Sequence, residues 1–229
     1  MWSARLLSVA VTLLILAGAV APSYAQNSGA IYVVSYIEIA PSATDAAHAL
    51  LRKLREGARK EPGNIDFVVF QNTTQPRHFV LLETWQDARA QENHAAAEPT
   101  RQFRSQLAPM LIAPYDERLH TGFALGPSKP HGKRVIYVIT HVDFAGAKKD
   151  AGLAAIKQLS AGSVNDTGVL RYDVLEQIVK PNHLTLVEIW RGKAALEAHE
   201  QADHTRKFRD ELLPIGGSPF DEQFYRPMN

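Results

Sequence analysis

Cysteine is absent from all 229 residues. That one absence removes disulfide staples, thiol nucleophiles and thiolate metal ligands together, so stability has to come from packing. An excess of charge of either sign is missing too. The chain holds 25 Lys and Arg against 24 Asp and Glu, and its first 25 residues contribute Arg5 and no acid. Without that segment the two signs balance at 24 each, which leaves no field to gather nucleic acid or an anionic membrane. Neither a glycine-rich phosphate loop nor His-Glu-x-x-His occurs. The long apolar run Leu6–Ala21 has 16 residues, fewer than the ~20 needed to span a bilayer. It follows Arg5 and precedes Ser23-Tyr24-Ala25, a small-x-small cleavage pattern, so residues 1–25 read as an export signal. The expectation is a periplasmic or secreted protein with no stable membrane insertion after cleavage. An uncleaved anchor is the rival reading.

What is present is a duplication. A shift of 105 residues lays the chain on itself without a gap. Ile31-Tyr32-Val33 meets Ile136-Tyr137-Val138, Glu83-Thr84-Trp85 meets Glu188-Ile189-Trp190, and His94 meets His199. Pro114-Tyr115-Asp116-Glu117 meets Pro219-Phe220-Asp221-Glu222. Gly57/Gly162, Gly63/Gly168, His78/His183, Thr100/Thr205 and Phe103/Phe208 hold the same register between these anchors. Two halves of one fold, packed as an internal dimer, follow from it.

Each half reads as strand, helix, strand, strand, helix, strand. Ile31–Ile39 is β-branched and aromatic, and Ala47, Leu50, Leu51, Leu54 and Ala58 then recur at helical spacing. Pro62-Gly63 stops that helix. Strands are predicted over 65–70 and 79–85, helical pieces over 87–94 and 99–107, and a last strand over 115–123. The second copy repeats the order at 135–144, 148–161, 169–178, 183–190, 193–212 and 219–226. The domains are therefore 30–122 and 135–229, joined by a proline-bearing linker over 123–134. Helices on one face of each sheet leave the other face wet unless two sheets meet. The fold class is α+β: tandem ferredoxin-like βαββαβ units packed sheet to sheet as an intramolecular α/β barrel.

Several residues carry chemical potential, each beside a plainer structural reading. His94 and His199 follow Trp85 and Trp190 by nine residues. An imidazole there can take a phenolic or enolic proton, or it can bond locally within its helix. Glu83 and Glu188 interrupt apolar strands, so each is paired with an arginine (Arg101, Arg104, Arg206 or Arg209) or lines a polar pocket. His48 stands where the second copy has Leu153, and His141 stands opposite Tyr36. These differences mark either a working pocket beside a degenerate one or drift after duplication. Trp85, Trp190 and Phe67 are stacking surfaces for a flat ligand, or ordinary core. His199 and His204 with Glu200 and Asp203 form a metal-like set, but the first copy has His94, Pro99, Ala95 and Glu98, so no metal is expected.

Two copies of Glu-x-Trp, a helical His and Thr-Arg-x-Phe resemble the antibiotic biosynthesis monooxygenase family. The runs are Glu83-Thr84-Trp85, His94 and Thr100-Arg101-Gln102-Phe103, then Glu188-Ile189-Trp190, His199 and Thr205-Arg206-Lys207-Phe208. The resemblance implies dimeric α/β barrels that oxygenate quinols or polycyclic phenols, often without flavin, haem or metal. A small aromatic molecule and dioxygen are then the partners, His94, His199 and His48 the candidate catalytic residues, and Trp85, Trp190, Phe67, Tyr36 and His141 the candidate substrate contacts. Haem-degrading members carry a Trp where this chain has His94 and His199, and a His where it has Arg104 and Arg209, so haem degradation is not implied. A non-catalytic protein that binds a small hydrophobic molecule or a partner is the competing expectation, and self-association of two chains stays open.

Overall fold

The computed structural model describes residues 29–132 and 134–228. The proposed export signal lies outside them. Each half is built as the repeat requires. The first comprises β1 (Ile31–Glu38), α1 (Thr44–Ala58), β2 (Asn64–Asn72), β3 (His78–Trp85), α2 (Ala88–Ala96), α3 (Glu98–Leu107) and β4 (Asp116–Leu125). The second comprises β5 (Ile136–Asp143), α4 (Lys149–Ser163), β6 (Val169–Gln177), β7 (His183–Trp190), α5 (Lys193–Glu200), α6 (Asp203–Leu212) and β8 (Asp221–Pro227). The single helix expected over 193–212 is broken at Gln201-Ala202, where Ala202 leaves the helical dihedrals with ψ 148°.

Within a half the strands run β4-β1-β3-β2, and in the other β8-β5-β7-β6, all antiparallel. The halves do more than face each other. β2 pairs with β8 and β4 pairs with β6, so eight strands close into one barrel with no free edge. The second seam also corrects a boundary. Gly122 to Leu125, assigned from sequence to the linker or its border, extend β4 because β6 supplies partners, Gly122 opposite Leu175 and Leu125 opposite Asp173.

Strand alternation sorts side chains into three cores. Tyr32, Val34, Phe70, Val80, Leu82, Ile139, Leu175, Val187 and Tyr225 fill the barrel interior. Val33, Leu81 and Trp85 face outward and meet Leu51, Leu54 and Phe103 of α1 and α3. Val138, Leu186 and Trp190 meet Ile156, Leu159 and Phe208 of α4 and α6 in the same way. Two glycines are required rather than tolerated. Gly63 and Gly168 have φ of 82° and 87°, and a Cβ on either would come within 2.5 Å or 2.6 Å of the Cβ of Ala90 or Ala195. They set the loops that carry Glu61 and Asp166 against the second helical layer. Among the described residues no helix is long and apolar enough to cross a membrane.

Candidate functional site

Glu83 and Trp85 both point from β3 toward the helices, as strand parity requires. Trp85 is fully buried, and its indole N–H donates to Glu83 Oε2 over 2.9 Å. His94, on α2, lays its imidazole over the Trp85 ring with centroids 4.6 Å apart and planes 27° apart. One ring nitrogen, Nδ1, lies 2.9 Å from Glu61 Oε2. Since a carboxylate only accepts, that nitrogen carries the proton and Nε2 keeps its lone pair. Nε2 faces Glu83 Oε2 at 3.7 Å, too far for a hydrogen bond. Burial pushes the Glu83 carboxyl up to about 8 and pulls His94 below its ordinary value, so a neutral acid faces a neutral base. The arginine partner expected for Glu83 is otherwise engaged: Arg104 bonds Glu117 over 2.5 Å, and Arg101 bonds Glu98.

The second half repeats the cluster. Trp190 Nε1 donates to Glu188 Oε2 over 2.8 Å, His199 stacks on Trp190 at 4.6 Å, and His199 Nδ1 lies 2.7 Å from Asp166 Oδ2. Burial likewise raises Glu188 to about 8 and lowers His199. Glu61 and Asp166 escaped the sequence analysis. Their signal was there: both are acidic, and they stand 105 residues apart just before the paired glycines.

In the first half an opening reaches this cluster. Between α1 and α3 lies a groove of about 430 Å³, lined by Leu50, Leu54 and Phe103 and, on the polar side, by Lys53, Gln102 and Glu61. That volume falls in the range of small-molecule sites. Gly57 faces this space with nothing within 4 Å of a notional Cβ. In the second half a Cβ on Gly162 would come within 2.5 Å of the His204 ring, which fills the equivalent place. His204 occupies the repeat position of Pro99, and its Nε2 lies 3.0 Å from the same Asp166 Oδ2.

The residues singled out from sequence separate into three places. His94 and His199 are buried beside their tryptophans; the groove touches Glu61 instead of the imidazole. Trp85, Trp190 and Phe67 are closed within the cores, with no free face for stacking, so their observed work is packing. His48, half-buried on α1, sits edge-on to Phe79 at 5.2 Å and lies 3.3 Å from the Gln71 amide, apart from His94. Tyr36 and His141 come together inside one end of the barrel. The Arg118 guanidinium lies 4.6 Å over the Tyr36 ring and donates to His141 Nδ1 over 3.3 Å. A cleft of about 540 Å³ opens there, bounded by Tyr36, His78, Asp116 and Tyr225 together with the apolar Ile37, Phe79 and Pro114. Arg118 is itself held by Asp116, so this cleft offers no unpaired cation.

With the barrel and both clusters in view, the chain belongs to the antibiotic biosynthesis monooxygenase family, whose sequence profile matches residues 30–106 and again 135–211. It is a tandem member that supplies both units of the barrel. Among curated proteins none matches it significantly. Solved structures share the whole architecture. A candidate monooxygenase of Fusobacterium nucleatum superposes with a TM-score of 0.76 at 12% identity, covering 88% of this chain and 93% of that one. A candidate monooxygenase of Lactobacillus acidophilus gives 0.70 at 13% identity, covering 88% and 95%. An anthrone oxidase-like protein gives 0.68 at 12% identity, covering 87% and 91%. At such identities the likeness is one of fold.

Proposed function

We propose that the protein is an exported monooxygenase that oxidises a quinol or polycyclic phenol with dioxygen, using the α1–α3 groove of its first half. The observation that carries this reading is the contact between an apolar groove and a carboxylate backed by a buried imidazole. A flat aromatic fits between Leu50, Leu54 and Phe103. Its hydroxyl, placed at Glu61, gives up its proton to the Glu61–His94 pair. His94 Nδ1–H steadies the Glu61 carboxylate beforehand, and Trp85 fixes the ring that does so. The resulting anion passes one electron to dioxygen, and the two radicals join at a ring carbon. Loss of water from that peroxide leaves one oxygen atom as a quinone carbonyl. The other departs as water with the ring hydrogen and the phenolic proton. The substrate supplies all the electrons. The protein supplies proton removal, alignment and exclusion of water.

One observation favours a non-catalytic ligand-binding protein instead. The Trp–His–Glu cluster persists in the half whose groove is filled, as a structural element would. Oxygen uptake with a panel of quinols and anthrones separates the two. Turnover lost in Glu61→Gln and His94→Ala but kept in His199→Ala supports the oxygenase. Absence of uptake by the parent protein, with ligands still bound, supports the binder.

A further inference from the structure

We propose that the second half holds a zinc-type divalent metal ion on Asp166, His199 and His204. The three residues come from separate elements: the loop after α4, α5 and the first turn of α6. Their ligand atoms all lie within 4.8 Å of one another, the only such group of His, Asp and Glu among the described residues. From sequence, Glu200 and Asp203 were the acids beside His199 and His204 and no metal was expected; the fold brings Asp166 instead, 33 residues before His199. Both imidazoles already aim at one oxygen: His199 Nδ1 at 2.7 Å and His204 Nε2 at 3.0 Å from Asp166 Oδ2.

Two neutral imidazoles and a carboxylate suit zinc, which takes nitrogen at about 2.0–2.1 Å and oxygen at about 2.0–2.2 Å in a tetrahedron. Tetrahedral ligands at that range stand about 3.3 Å apart, so the rings need to close by no more than ~1.5 Å. Each histidine would move its proton to its other ring nitrogen and turn the freed lone pair to the ion, with no net proton lost. Water can take the fourth position, since the His204 and Asp166 side chains are 24% and 18% exposed. Room for the His204 ring comes from Gly162, where any side chain would collide with it. The first half lacks the third ligand because Pro99 stands there, although Gly57 leaves the same space open. The ion would tie three segments together at the place where the first half keeps a groove. It is independent of the oxygenase reading.

Equilibrium dialysis of the full chain with Zn²⁺, and Co²⁺ absorption as a geometric probe, test the site. One ion per chain, tetrahedral Co²⁺ bands and a melting temperature raised by about 5–10 °C at a hundredfold excess over Kd are expected. His204→Pro installs the residue the first half uses in the same first helical turn, and Asp166→Asn removes the carboxylate. Each should weaken affinity at least about tenfold. Transplanting the set by Glu61→Asp with Pro99→His should raise the stoichiometry from one to two. No stoichiometric binding by the parent protein, or affinity in the two single variants equal to the parent's, overturns the site. A double variant that stays at one ion overturns the geometric argument for it.

Discussion

The two halves share the buried Trp–His–Glu cluster and differ in the space beside it. Gly57 and Gly162, equivalent by the duplication, face empty space in one copy and an imidazole in the other. A single exchange, Pro99 against His204, accounts for that difference, while the Trp–His–Glu cluster beneath is the same to within about 0.2 Å in its principal hydrogen bonds. The duplicated cluster ties each sheet to its helices, and the residue that differs, Pro99 against His204, decides whether the space beside it is open.

This comparison can be attacked directly. The largest effect should be the loss of either tryptophan. Trp85→Ala and Trp190→Ala each remove a fully buried ring and orphan a buried carboxyl, so each should cost about 3–5 kcal/mol in denaturant melts. The costs should agree within about 1 kcal/mol, and a wide gap would show that the two clusters are not equivalent. Next comes Pro99→His, which places a ring over Gly57 in the first groove. Turnover of any quinol substrate should fall by about 100-fold with the fold retained, as read by oxygen uptake beside circular dichroism.

The acids give a pH signature of intermediate size. Glu83 and Glu188 titrate at about 8 in the fold against 4.5 ordinarily, so the folded chain holds more protons between those values. Stability from these two groups is therefore lost as pH rises through that window. His94 and His199, lowered from 6.5, act the opposite way below 6.5, so the decline should be clearest from 6.5 to 8. Glu83→Gln with Glu188→Gln keeps an oxygen for each indole and should flatten the slope, a change on the order of 2 kcal/mol across the window. A wild-type melting temperature that climbs from pH 6.5 to 8 would contradict this assignment. The smallest effect is expected for His204→Pro in the absence of metal. It should cost about 0.5–1.5 kcal/mol and open a second groove, detected as a second bound molecule of an apolar dye.

Much of this was legible in the sequence because the duplication acts as an internal control. Helix spacing at Ala47, Leu51 and Leu54, and alternation at Leu81, Glu83 and Trp85, placed those side chains on the faces they occupy. Contacts made only across the chain were not legible. Glu61 meets His94 from 33 residues away, and nothing local to either residue announces it. The extension of β4 depends on β6, and the meeting of Tyr36 with His141 depends on barrel closure. His48 looked suggestive because it replaces a leucine, yet Phe79 and Gln71 satisfy it locally. An unusual residue type on an apolar stripe says that something differs there, not what it faces.

Closure of the barrel also constrains how one copy of this protein can meet another. Among the described residues every strand has a hydrogen-bonded neighbour on both sides, so no whole strand edge is left to recruit a strand from a neighbour. Assemblies of two chains must be cemented by side chains on the helical coat or the loop ends, and templated β-stacking is denied its starting point until the ring is torn open.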